Sequence, residues 1–223
     1  INPEYEDRVL QSTANTPFYK GTVSLLKTSK ETGGIAQMTV PDQIALRDSI
    51  DAKISQEGRT PELQKRRDQV DKVVNASIAD YQKDGVRAAL VRGAIDSMAP
   101  LDMTDTASVV ASADKRIEQA RLASIKAGKP VSIMDDLESS LYRDQLNALQ
   151  PKQRSEAIAA LSNKIGPQGS IALAKQLDDK DKPLALAFAM GSDKTTMGRY
   201  ASELVLSGAQ SLKDGTVKVD TAK

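Results

Sequence analysis

Three acids and a hydroxyl lie close together at Asp135, Asp136, Glu138 and Ser139, and these are the residues of the 223-residue chain whose types and spacing best suit chemistry. Adjacent carboxylates can hold a divalent cation or divide the work of a general acid and a general base. The same residues have a structural account. Ser132 to Asp136 stands where a helix begins, so the acids complement the positive end of its dipole, and Glu138 then falls on a solvated face.

Two other motifs invite chemistry and meet the same objection. Gly191-Ser192-Asp193-Lys194-Thr195-Thr196 has the flavour of a phosphate loop, but it lacks the glycine before the lysine and the preceding strand that such a loop needs. Ser192 or Asp193 as a helix cap accounts for it better. Lys65-Arg66-Arg67 is basic enough to touch a phosphate backbone, yet Glu62, Asp68 and Asp71 surround it on the same predicted helix, which describes a salt-bridged, solvated face. Met98, Met103, Met134, Met190 and Met197 read as adaptable core filler.

Composition removes further chemistries. The chain has no Cys and no His, which excludes thiol and Ser-His nucleophiles, imidazole acid–base work, the usual zinc sites and any disulfide. Its 31 Lys and Arg nearly cancel its 30 Asp and Glu and are interspersed with them, so no general nucleic-acid or acidic-membrane surface is indicated. The longest apolar run, Leu184 to Met190, is far short of the roughly 20 residues of a membrane span. Neither a cofactor nor a specific nucleic-acid partner is expected. The sequence opens at Ile1 without an initiator Met or a leader, which reads as a fragment of a longer polypeptide.

The elements that must position these residues are helices. Trp is absent, Phe is limited to Phe18 and Phe188, and the core must come from Leu, Ile, Val, Ala and Met. Asn2-Pro3, Thr16-Pro17 and Thr60-Pro61 each place a capping side chain before a proline at the first helical position. Acids follow the proline at Pro3-Glu4, Pro41-Asp42 and Pro61-Glu62. Glycines at 33–34, 58, 85, 128, 166 and 215 supply the stops. The punctuation predicts helices near 3–13, 17–31, 41–57, 61–83, 86–98, 105–127, 134–149, 151–165, 168–178, 183–190 and 194–213: an all-α, multi-helix bundle of about ten short-to-medium helices.

Composition divides the chain into an N-terminal helical region over 1–84, a compact helical bundle over 85–215 and a tail over 216–223. The first region carries a helical hairpin turning at Gly58-Arg59-Thr60, with an apolar stripe of Ile44, Ile50, Ile54, Val70, Val74 and Ile78 at helical spacing. That stripe is longer than a two-helix contact covers, so it is the candidate interaction surface, for the rest of this chain or for another. In the second region Leu161, Ile165, Ile171, Leu173, Leu184, Leu186 and Phe188 are the expected core.

The order of features carries a resemblance. Val40-Pro41-Asp42-Gln43, Arg59-Thr60-Pro61-Glu62-Leu63, Asp80 to Arg92, Pro100-Leu101-Asp102, Pro151-Lys152-Gln153-Arg154-Ser155-Glu156-Ala157 to Gly166, and Pro183-Leu184-Ala185-Leu186-Ala187 together resemble a helical region of the large internal virion (DNA-ejection) proteins of tailed phages and prophages. The resemblance implies a non-enzymatic helical module that is packed inside the particle, contacts itself or neighbouring ejection proteins, and is delivered into the host envelope. Some members of that family carry a lytic transglycosylase domain elsewhere in the polypeptide. Glu138-Ser139 and Gly34-Ile35-Ala36-Gln37-Met38 each resemble one element of such enzymes, but only Glu31-Thr32 precedes the second, so the spacing fails and no catalytic residue is transferred. A peptidoglycan-cleaving enzyme using Glu138 stands as the alternative function, and a bacterial helical adaptor unrelated to phage as a third.

Overall fold

The computed structural model describes residues 34–178, 180–191 and 195–216; the helices expected at 3–13 and 17–31, the caps at Asn2 and Thr16, and nearly all of the 216–223 tail lie outside them. Among the described residues the protein is all-helical, with nine α-helices and no strand. A single 3-10 turn at Ile35–Gln37 leads into α1 (Val40–Glu57) and α2 (Pro61–Lys83), and α3 (Gly85–Val91) follows. Then come α4 (Thr106–Ser112), α5 (Asp114–Ala127), α6 (Asp136–Asn147), α7 (Pro151–Asp178), α8 (Lys182–Gly191) and α9 (Thr196–Lys213). No helix among these residues is long and apolar enough to cross a membrane.

Caps account for where the helices start. Thr39 and Thr60 accept hydrogen bonds from the Asp42 and Leu63 backbone N–H groups, with a proline in the first turn in both cases, so one orphan donor is satisfied and one is absent. Gly58 ends α1 with φ 86°, a conformation that side chains resist.

Three boundaries depart from the sequence expectation. The helix expected over 86–98 stops at Val91, because Arg92-Gly93-Ala94 forms a glycine-terminated cap in which Ala94 N–H donates to Ala89 O and Gly93 N–H to Leu90 O. The helix expected over 105–127 is divided at the buried Ala113, and Asp105 caps its first part through the Ser108 N–H at 2.7 Å. At the other end of the chain Thr195, not Ser192 or Asp193, caps α9 through the Gly198 N–H, and 192–194 lie outside the described residues. As expected, α7 breaks at Gly166, whose φ 73° and ψ 175° just before Pro167 separate its two helical segments.

Two compact units emerge, and the division falls elsewhere than at 84/85. One holds the described residues through Met98 together with Arg121–Lys129; the other holds Ala99–Ala120 and everything from Pro130. Asp84 caps α3 immediately after α2, and Tyr81 and Val86 on either side of it are both buried, so no linker exists at that point.

In the first unit α1 and α2 pack as the expected hairpin, closed by Ile50, Val70 and Val74 with Ile35, Leu46 and Ile78 against them. Gln43 is buried at its base and donates to the carbonyls of Ile35 and Met38. In the second unit α8 packs on α7 and α9. Tyr142, Leu146, Ile158, Leu161, Leu173, Leu177, Leu184, Phe188 and Leu206 are among its fully buried large side chains, and the rings of Tyr142 and Phe188 meet at 6.4 Å. Ile171 and Leu186, expected in this core, point to solvent. On α8 the inward face is Leu184, Ala185 and Phe188 at i, i+1, i+4; Leu186 sits about 200° around the helix from Leu184 and is turned away.

Candidate functional site

The helix start at α6 holds the acids singled out by the sequence. Asp135 is the N-cap: its Oδ1 accepts from the Glu138 N–H at 2.8 Å, and Glu138 Oε2 accepts in return from the Asp135 N–H at 2.9 Å. This reciprocal box satisfies two orphan donors and fixes the Glu138 side chain back along its own helix. Asp136 points elsewhere and pairs with Lys180 at 3.5 Å.

Arg116 of α5 completes the arrangement. Its guanidinium meets Glu138 in a two-pronged pair, Nη2 to Oε1 at 2.8 Å and Nη1 to Oε2 at 2.9 Å. The same guanidinium donates from Nε to the Ala99 carbonyl at 2.7 Å and from Nη1 to the Ile133 carbonyl at 3.2 Å. Arg116 is 1% exposed and Glu138's side chain 15%, so the expectation that Glu138 lies on a solvated face is corrected. The acid faces inward because a buried cation is there to receive it. A planar fork bonded at four points ties the 99 segment, α5, the 133 loop and α6 together. Both Glu138 oxygens are engaged, Oε2 twice.

No group of three or more acids among the described residues is placed to hold a metal ion. In the Lys65-Arg66-Arg67 run, Arg67 pairs with Asp51 across the hairpin at 3.2 Å and with Asp71 at 3.5 Å, and the bond to Asp51 raises its pKa.

The apolar stripe is brought together on one seam. Val70 and Val74 are fully buried and Ile50 nearly so, while Ile44, Ile54 and Ile78 are partly buried against them. Engaging a partner with Val70 or Val74 would require opening the hairpin.

A second apolar surface escaped the sequence argument. On α9, Met197, Tyr200, Leu204 and Leu212 are half or more exposed, and with Gly208 they fall within one side of the helix that carries no charge. Gly198, Ser202 and Leu206 on the opposite side are buried. Met197 is thus surface and not core filler. The i, i+3, i+7 spacing was available in the sequence, but a helix with apolar residues on both sides gives no sign of which one turns in. Arg116 left no local signal at all, since it stands among Asp114, Lys115 and Glu118 as one charge in a charged run.

Against known proteins, no family model matches the chain, and neither a curated protein nor a solved structure does.

Proposed function

We propose that this chain is a non-enzymatic helical module of a tailed-phage or prophage internal virion protein, working through helix-on-helix contacts with copies of itself or with neighbouring ejection proteins. The observation that carries the non-enzymatic part is the state of Glu138: the acid with the strongest catalytic claim is held by Arg116 and by the Asp135 N–H as a structural clamp. The charge-free side of α9 supports the interaction part, since exposed contiguous apolar surface commonly marks a protein contact. The order of helix punctuation and Ala/Leu-rich segments supports assignment to the virion proteins. A chain without Cys also suits delivery through a narrow passage, where no cross-link has to be broken and remade.

Mass spectrometry of nuclease-treated particles tests the assignment. Full particles should contain peptides of this chain, and particles that have ejected their DNA should be depleted of them. Peptides found only in the host cytosol, in a strain that releases particles, would overturn it.

A further inference from the structure

The buried arginine at the start of α7 has a cation left over. Arg154 is 7% exposed and its Nη2 donates to the carbonyls of Asn147 at 3.2 Å and Leu149 at 3.0 Å, closing the end of α6. Its Nε is sealed from solvent without a partner. Its Nη1 makes no hydrogen bond or ion pair among the described residues and, unlike Nε, is open to solvent. Among the described residues the protein supplies no acceptor to Nη1, whose solvent-facing donors are available to a ligand.

Arg154 lines a cleft of about 170 Å³ shared with Asn147, Asp181, Leu206, Gln210 and Lys213. Lys213 likewise has no ion pair or hydrogen bond among the described residues. Asp181 is close enough to act on Arg154 electrostatically, but its carboxylate is occupied: Oδ1 accepts from the Leu184 N–H at 3.1 Å and Oδ2 from Asn147 Nδ2 at 3.0 Å. Burial lowers the Arg154 pKa more than Asp181 raises it. Two cations, Arg154 and Lys213, line the cleft with one anion, Asp181, while the neighbouring Asp214 carboxylate is engaged by Gln210 Nε2 at 3.0 Å.

We infer that this cleft is a binding site for a small oxyanion, a carboxylate above all, seated between Arg154 Nη1 and Lys213 Nζ. The cleft's volume, about 170 Å³, is below the ~300 Å³ at which sites for larger ligands begin, which suits a small anion. This inference is independent of the virion assignment.

The probe is acetate, titrated into the ¹⁵N-labelled chain against sodium chloride of matched ionic strength, with inorganic phosphate as a second probe. The Arg154 Nε–Hε resonance and the Gln210 and Lys213 amides should shift saturably with acetate and not with chloride. Lys213→Gln, at an exposed helix end, should weaken binding about two- to fivefold, as loss of one partly solvated charge does. Asp181→Asn keeps a capping oxygen for α8 and should tighten it. Saturation by phosphate alone would replace the carboxylate preference and so overturn the proposal as stated. Shifts that follow chloride equally, or that Lys213→Gln leaves unchanged, overturn the site itself.

Discussion

Arg116 and Glu138 stand 22 residues apart in sequence and meet through two parallel N–H···O bonds of 2.8 and 2.9 Å, with the guanidinium fully buried. Removing the acid strands a cation in the interior. Glu138→Gln is therefore expected to destabilise the second unit by about 3 kcal/mol, the lower end of the range for a broken buried pair because Glu138 keeps some exposure. Arg116→Met combined with Glu138→Leu should recover much of that loss. Chemical denaturation of the three variants checks both statements.

Gly128 and Gly166 share nearly the same left-handed φ, 68° and 73°, but not the same surroundings. A Cβ on Gly128 would run into the Pro41 ring, whereas one on Gly166 would meet nothing. Gly166→Ala should cost about 1 kcal/mol, the backbone penalty alone. Gly128→Ala should cost about 2–4 kcal/mol, since overpacking adds to it. Equal melting temperatures for the two variants would contradict the close approach of Pro41.

Asp105 gives a pH dependence. The Ser108 N–H holds its carboxyl below the ordinary 3.8, so the cap stabilises α4 fully above that value and is lost as pH falls through the lower folded one. A carbon-detected titration of the Asp105 carboxyl should show a midpoint below 3.8. In Asp105→Asn the α4 amides should keep their protection through the same acid range.

Burial ranks the two units. The helices α7 and α8 enclose Ile158, Leu161, Leu173, Leu177, Leu184 and Phe188, while the hairpin core rests on Ile50, Val70 and Val74. Native-state hydrogen exchange should find the slowest amides in α7 and α8 and earlier opening in α1 and α2. Equal protection in the hairpin would contradict the ranking.

Val74→Asp bears on the hairpin seam. Val74 is fully buried, so an unpaired carboxylate there should cost about 4 kcal/mol and melt α1 and α2 together. Sedimentation should show a wild type whose mass does not depend on this residue. A folded Val74→Asp monomer beside a dimeric wild type would make the seam an interface between copies.

Helices could be read from the sequence because their signals are local. Thr39, Thr60 and Asp135 cap within three residues of themselves, and Gly58 and Gly166 stop within one. Gly93 was open to the same argument and was passed over, and Ala113 divides a helix with no glycine or proline to mark it. The burial of Glu138 had no local sign. It follows from Arg116, whose side chain comes from another helix and which stands among the charges Asp114, Lys115 and Glu118. The inward side of α8 was likewise undecidable, because Leu184, Leu186 and Phe188 make equally good core on a helix apolar all round and only tertiary packing turns Leu186 out.

The most direct test of the account is a paired assay of Glu138→Gln against wild type: clearing of purified peptidoglycan in a zymogram, and thermal stability of the same preparations. A structural Glu138 predicts no clearing by either protein and a lower melting temperature for the variant. Clearing by the wild type that disappears in Glu138→Gln while the melting temperature stays unchanged would contradict it.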